Sequence, residues 1–277
     1  MSGRNHVSMS QITMYCRCPA QYAFRYAEGL IVPPGIAAHV GSGVHAGAEH
    51  AMRYKSQHYK NASPDDVRDA AVAGFDTRLA DDDALLTPDQ EERGRENVVA
   101  ESRDTVAALS HFWACAVQPE YQPESSETVE RQFRVPLNQL GIDLLGFIDL
   151  EDDQHRVVDW KTGQRMRQAD ADTSLQLTCY AFAYHYRVGH PPSAVRFDCV
   201  RPSSHDPTTR VVYESKRDMA DYQPFLDRVA VVVRSIRSGL FPPCNPDTWC
   251  CCPTWCGYWS RCPYVNPERA AKAQEKK

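Results

Sequence analysis

Asp149, Asp159 and Lys161 set the chemical question, within the stretch GFIDLEDDQHRVVDWKTG from Gly146 to Gly163. Two carboxylates from neighbouring strands can hold one or two hard divalent ions such as Mg2+, which takes oxygen ligands, and a lysine beside them can orient or activate a water. Metal-bound water attacks a phosphodiester while the ion and the ammonium stabilise the charge developing on the phosphate. Asp159 and Lys161 are two apart, so on a strand they share a face. Gln176 and Tyr180 are four apart, so on a helix they also share a face, each with a polar tip able to reach a phosphate or a water. Singly, these patterns are weak. An acid-x-lysine after an apolar run is common, and a Gln near a Tyr reads most simply as a surface residue beside a half-buried ring. Charges at strand ends are solvated in most proteins, so the grouping carries the reading.

Local pattern gives the elements that must position these residues. Gly-Phe-Ile-Asp-Leu and Arg-Val-Val-Asp-Trp-Lys are rich in β-branched and aromatic residues, and EDDQH between them has turn composition, so the pair predicts a hairpin. From Glu127 onward the period is that of strands: TVERQFRVPL, GIDLLGFIDL, HRVVDWKTG, AVRFDCVRP and TTRVVYES. Helices are expected from Ser174 to Val188 and from about Asp218 to Ser238. Near the start, Ser residues suit a helix cap, and Ile12, Tyr15, Tyr22 and Phe24 follow at helical spacing with a bend at Pro19. Further helices are expected over about 41–54, 64–80 and 88–116, with a loop at 118–127. The order predicts an α/β or α+β core with helical embellishment and no internal repeat.

A composition of 42% hydrophobic and 24% charged residues over 277 residues is that of a globular chain with a core that needs no staples. No apolar run approaches a membrane span, and the N-terminal MSGRNHVSMSQ lacks an apolar signal core, so a cytoplasmic protein is expected. A net charge of −5 argues against a protein that coats nucleic acid through a basic surface, but it allows a local basic groove beside metal-binding acids. The KAQEKK end reads as a solubilising tail. Of eleven cysteines, six lie between Cys244 and Cys262, and an odd count without a secretory signal points away from disulfides and toward a metal or cluster.

The ordered string G-F-I-D, V-V-D-W-K-T-G and Q-L-T-C-Y resembles the PD-(D/E)xK nucleases, and within them the RecB-like branch that includes CRISPR-associated and phage exonucleases and the AddB nuclease domain. That branch carries a G-x-x-x-H element on a helix ahead of the strands, and GSGVH places His45 there. The resemblance runs from about Ser8 to Tyr264. It implies a restriction-endonuclease-like core, a mixed central sheet flanked by helices, as one RecB-like nuclease domain over 1–277. Within it would lie the N-terminal part of a cluster clasp at 8–27, a helical layer at 41–116, the nuclease core at 127–240, a cysteine-rich segment at 241–264 and a tail at 265–277. By resemblance, Mg2+ or Mn2+ would be held by His45, Asp149, Asp159 and the backbone carbonyl of Trp160. Lys161 would be the catalytic lysine, and Gln176 and Tyr180 would orient the DNA backbone or Lys161. Asp159 stands where many relatives have Glu, a variant the family pattern permits. Glu49, one turn on from His45, and Glu130, on the strand before the hairpin, could support the site or be surface charges.

The same branch binds a four-iron, four-sulfur cluster through four thiolates. YCRCPAQYAF matches its distant Cys-Pro element at Cys18, with Cys16 as competitor, and Cys256 and Cys262 match its last pair. The usual two-residue spacer before Cys256 lands on Pro253, and longer spacers give Cys251, preferred here, or Cys252 as alternate. Cys244 and Cys250 are then spare. Spacing alone fits structural zinc equally well. Trp249, Trp255, Tyr258 and Trp259 read as cover for the cluster, although an exposed member could stack on a single-stranded base, and Cys115, Cys179 and Cys199 read as buried free thiols. The expected function is a metal-dependent DNA exonuclease on single strands or duplex ends, in phage recombination or replication, repair, or CRISPR spacer acquisition. A single-strand annealing or CRISPR adaptation protein is the expected partner, with no membrane. The reading from a different class is a non-catalytic nucleic-acid-binding or scaffold module. Two acids and a lysine speak against it, because holding phosphates without chemistry favours Arg and Lys over carboxylates.

Overall fold

A computed structural model describes residues 5–163, 166–202 and 208–265, and the tail beyond Val265 lies outside the described residues. Ser8 caps helix α1 (Met9–Arg17): its hydroxyl accepts from the Gln11 N–H at 3.3 Å while the Gln11 side chain accepts from the Ser8 N–H at 2.8 Å. Pro19 opens α2 (Pro19–Tyr22), where its missing donor is not needed, and α2 runs into a π-helical turn over Ala23–Ala27. Four helices follow: α3 (Ile36–His58), α4 (Pro64–Asp82), α5 (Pro88–Glu92) and α6 (Arg95–Ala116). The single helix expected over 88–116 is therefore two, broken where Gly94 takes φ +84°. Helix α3 begins at Ile36, ahead of the expected start, because Gly35 ends the extended Pro-Pro segment and Ile36, Ala37 and Ala38 continue the helix.

The strands are β1 (His6–Ser8), β2 (Val129–Leu137), β3 (Ile142–Glu151), β4 (Arg156–Thr162), β5 (Ala194–Arg201) and β6 (Thr209–Ser215). Helices α7 (Gln168–Asp172) and α8 (Leu175–Val188) cross from β4 to β5, and α9 (Met219–Arg237) follows β6. They form one mixed sheet. β2 runs antiparallel along one edge of β3, while the other edge is shared by β1, parallel, and β4, antiparallel. β4 and β5 pair parallel, and β6 closes the far side antiparallel to β5. The unexpected strand β1 is three residues long and exists through its pairing with Asp143, Leu144 and Leu145, a tertiary partner that local propensity does not reveal.

One face of the sheet packs Phe133, Leu144, Ile148 and Val157 against α1, α8 and α9, through residues such as Ile12, Leu177, Tyr184 and Val229. The other face packs Leu150, Val158, Trp160 and Val200 against α3 and α6, through Val44, Met52, Leu109 and Trp113. A third cluster around Phe75 and Val106 joins α3, α4 and α6 into a helical layer. The α3–α4 contact is close, since a Cβ on Gly74 would meet the Ala46 Cβ at 2.5 Å. Ile148 and Leu150, same-side neighbours by alternation, lie in different cores, so β3 rolls from one to the other at Asp149. Across from it, β2 does the same between Val129 and Phe133, where Glu130 takes a left-handed φ of +49°.

Candidate active site

The β3–β4 ladder has only two rungs, Leu150 with Val158 and Glu151 with Val157. One step further the strands part, which brings Asp149 and Asp159 to the fork. Parting leaves the Trp160 N–H without a strand partner, and the Asp149 carboxylate takes it, accepting at 2.7 Å. The Trp160 indole anchors β4 from the opposite side, fully buried edge-on against Trp113 and Tyr121 with ring centroids 5.1 Å from each. By alternation the neighbours of Trp160, Asp159 and Lys161, turn away from that core toward α8.

There the two neighbours meet the helix. The Lys161 ammonium pairs with Asp159 at 2.5 Å and donates to the Gln176 side-chain oxygen at 3.2 Å. The Gln176 amide donates to Asp159 Oδ1 at 2.8 Å and to the Tyr180 hydroxyl at 2.8 Å. The helical spacing of Gln176 and Tyr180 thus serves one chain of contacts ending on the carboxylate. Burial opposes the charge on Lys161, but the Asp159 carboxylate outweighs it and holds the lysine above its ordinary value. Burial, with Asp159 and Asp149 nearby, raises Tyr180 as well, so its hydroxyl stays protonated.

From the other side α3 delivers His45. Gly41, one turn earlier, lets the helix approach β4: a Cβ there would come within 3.3 Å of the Thr162 hydroxyl. His45 Nε2 lies 2.8 Å from the Trp160 carbonyl oxygen, and Nδ1 lies 3.4 Å from the Asp149 carboxylate. Glu130, opposite Asp149 on β2, completes a group: His45, Glu130 and Asp149 offer ligand atoms within 4.8 Å of one another. Sequence pattern left Glu130 undecided, because what selects it is the β2–β3 register, in which Val129 faces Leu150 and Arg131 faces Ile148. Glu49 pairs with Arg53 at 2.8 Å and lines the same cleft.

Crowding of acids has an electrostatic cost. Burial pushes the Asp149 carboxyl up to about 6, with Asp159 adding to the push and His45 and Lys161 opposing it. Burial, then Asp149, Glu49 and Asp159, pushes Glu130 up to about 8. Asp159 Oδ2 is buried and makes no hydrogen bond of good geometry beyond its ion pair with Lys161. Clustered oxygens with raised pKa values, one imidazole and a buried oxygen with spare capacity suit a hard divalent cation. The cleft in front of them has a volume of about 1430 Å³, with α3, α4 and α6 forming one wall and His45, Glu130, Lys161 and Gln176 at its floor.

Away from the two acids, residues 18–21 meet the segment after α9. Ala20 N–H donates to the Pro242 carbonyl at 3.1 Å, and Cys244 N–H donates to the Cys18 sulfur at 3.4 Å. Cys256 accepts from the Gln21 side chain at 3.1 Å. Burial raises the thiols of both Cys251 and Cys256, and each is raised further by Cys18 and Cys262. Cys18, Cys251, Cys256 and Cys262 thus share one neighbourhood, whereas Cys252 turns its thiol to the Trp249 carbonyl at 3.4 Å and Cys16 is exposed. Three expectations change here. Cys115 is exposed rather than buried, and Trp249 and Trp255 stand out in solvent, edge-on to each other at 5.9 Å, instead of covering the cysteines. Only Tyr258 among the four aromatics is buried, its hydroxyl donating to the Leu30 carbonyl at 2.9 Å.

The sequence model of the PD-(D/E)XK nuclease superfamily matches residues 6–263. The chain belongs to that superfamily. Its members are nucleases that use divalent metals. Among solved structures the chain is similar to a "Putative exonuclease" from Eubacterium rectale, with a TM-score of 0.56 and 12% identity over 89% of this chain and 87% of that one, a likeness of fold. No curated protein matches the chain. Among the described residues no helix of this nuclease is long and apolar enough to cross a membrane.

Proposed function

We propose that this chain is a Mg2+- or Mn2+-dependent DNA exonuclease acting on single strands or DNA ends, as one nuclease domain over 1–277. The observation that carries the reading is the convergence, where one ladder opens, of two halves of a site. His45, Asp149 and Glu130 come from one side, and Asp159, Lys161, Gln176 and Tyr180 from the other. Asp149, Asp159, His45 and the Trp160 carbonyl would hold the cation, with Glu130 as a further carboxylate. When bound, the cation supplies Lewis-acid charge and an acidified water. His45 and the Trp160 carbonyl now bond each other, so serving together as ligands requires that hydrogen bond to open.

The protein's own groups divide the remaining work. A lysine held above its ordinary value keeps its proton at neutral pH, so Lys161 acts as a donor that orients the attacking water or a phosphate oxygen, and not as the base. Gln176 fixes both Lys161 and Asp159, and Tyr180 fixes Gln176. A four-iron, four-sulfur cluster on Cys18, Cys251, Cys256 and Cys262 is the companion proposal, with a structural role. Zinc, at about 2.3 Å from each thiolate, would draw four sulfurs to roughly 3.8 Å of one another. Among the described residues the group whose ligand atoms lie within 4.8 Å is the His45 one, so thiol spacing does not choose between zinc and the cluster, and the family resemblance carries the cluster reading. A cytoplasmic role in recombination, repair or CRISPR adaptation, beside a single-strand annealing or adaptation protein, completes the proposal.

The test is digestion of end-labelled single- and double-stranded DNA with Mg2+ or Mn2+, comparing the parent with Lys161→Ala and with excess chelator. Progressive loss of label from one end, abolished in both controls, is the expected result. Cleavage that survives Lys161→Ala places the chemistry elsewhere, and a metal-loaded parent that cuts nothing refutes the enzyme.

A further inference from the structure

Beneath Lys161 lies a ring to which the site as described gives no task. In the parallel pairing of β4 with β5, Asp159 stands beside Phe197 and Lys161 beside Cys199. The Lys161 side chain does not stay over its own register partner: its ammonium lies over the Phe197 ring, 5.2 Å from the centroid. That lean of one pleat brings the nitrogen level with Asp159, the neighbour of Phe197, where the ion pair forms at 2.5 Å. The Cys199 thiol points instead to the Met166 sulfur at 3.7 Å. Phe197 is a fixed platform. Its strand is paired on both edges, to β4 and to Tyr213 of β6, and its side chain is 3% exposed in the core that holds Leu177. The same ring nevertheless lines the cleft together with Lys161 and Gln176.

We propose that Phe197 is a positioning residue for Lys161, its ring face fixing the ammonium beside Asp159 so that the lysine can donate into the cleft. This deepens the nuclease reading above and rests on it. An ammonium has three N–H donors, and Asp159 and Gln176 take two, which leaves one for the attacking water or a phosphate oxygen. A ring face attracts a cation through its quadrupole without consuming a donor, so Phe197 restrains Lys161 and still leaves that N–H free. Desolvation strengthens such a contact, and both partners here are largely buried. When Asp159 serves as a metal ligand, its oxygens are shared between the cation and Lys161, whereas the ring is a contact for which the cation does not compete. Leucine would fill much of the same space and supply none of this attraction.

The experiment replaces Phe197 in the full chain by a singly and a triply fluorinated phenylalanine, which keep the ring's shape while draining its face of negative charge, and by leucine as F197L. Each is made in the parent and in K161M, and kcat and KM are measured on end-labelled DNA with Mg2+. Thermal unfolding and the Mn2+-induced rise in Tm check the fold and the metal site of each. In the parent, kcat is expected to fall stepwise with fluorination and to be about 3- to 30-fold lower in F197L, with KM and the Mn2+ response unchanged. In K161M the same replacements should leave the residual kcat where it is, because the ring acts through the lysine. Fluorinated chains as active as the parent overturn the proposal, and so does an equal loss in the K161M background. An F197L chain with parental kcat overturns it as well. A metal-loaded parent that cuts nothing, or a K161M chain as active as the parent, overturns the nuclease reading of the site and this inference with it.

Discussion

Replacing Asp149 by Asn separates the electrostatic cost of the site from its shape. Asn is isosteric, and its side-chain oxygen can still accept from the Trp160 N–H, which Asp149 does at 2.7 Å. What it removes is a carboxylate that is 7% exposed and whose pKa stands at about 6 against an ordinary 3.8. At about 1.4 kcal/mol per pH unit, holding that charge in the folded chain costs ~3 kcal/mol once it is fully ionised. The folded state binds the Asp149 proton more tightly than the unfolded state does, so in this window stability falls as pH rises, from about 4 to about 6, and then levels. Metal-free Asp149→Asn should therefore match the parent near pH 4 and exceed it by up to ~3 kcal/mol above pH 6, in urea denaturation with chelator present. Added Mn2+ should reverse the order by raising the parent's Tm more than the variant's, because binding favours the folded state and needs the ionised carboxylate. A chelated variant less stable than the parent at pH 8 would refute the account of Asp149 as a strained carboxylate.

Three further outcomes follow from the same contacts. Lys161→Met should lower kcat by ~10²–10³, as removal of a transition-state donor does, while the Mn2+-induced rise in Tm persists; loss of that rise would show that the lysine instead organises the metal ligands. Gln176→Ala removes the 2.8 Å donor to Asp159 and the acceptor of Lys161, and should cost about 10- to 100-fold in kcat, with Tyr180→Phe milder because Gln176 keeps its other partners. Gly74→Ala places a Cβ 2.5 Å from the Ala46 Cβ, so overpacking should destabilise the chain by ~1–3 kcal/mol and, by shifting α3, weaken metal binding through His45; unchanged Tm and metal affinity would mean the helical layer yields freely.

Much of the site was legible before the fold because its residues sit at spacings with direct geometric meaning. Asp159 and Lys161 share a strand face, Gln176 and Tyr180 share a helix face, and the G-x-x-x-H element singled out His45 by resemblance, while the close approach at Gly41 came only with the fold. Glu130 was not legible, since its membership depends on a cross-strand register and a left-handed backbone that no local pattern encodes. The break at Gly94 was missed because helix-favouring residues lie on both sides of it, PDQEE before and RENVVAE after. Among the cysteines, family pattern favoured Cys251 and left Cys244 spare, and the contacts of residues 20 and 18 with 242 and 244 that put Cys244 beside Cys18 are tertiary ones with no local sequence signal.

The roll of β3 between two cores bears on how the enzyme is born. His45 rides on a helix packed into one core beside Val44, while Gln176 and Tyr180 ride on a helix packed into the other beside Leu177. A chain emerging from the ribosome delivers the histidine first, the acids next and the α8 residues later, and the cysteine clasp comes after the last strand. Neither core alone assembles the site. The two halves of the site therefore come together only when both cores have formed, and a copy that ends before α8 lacks Gln176 and Tyr180.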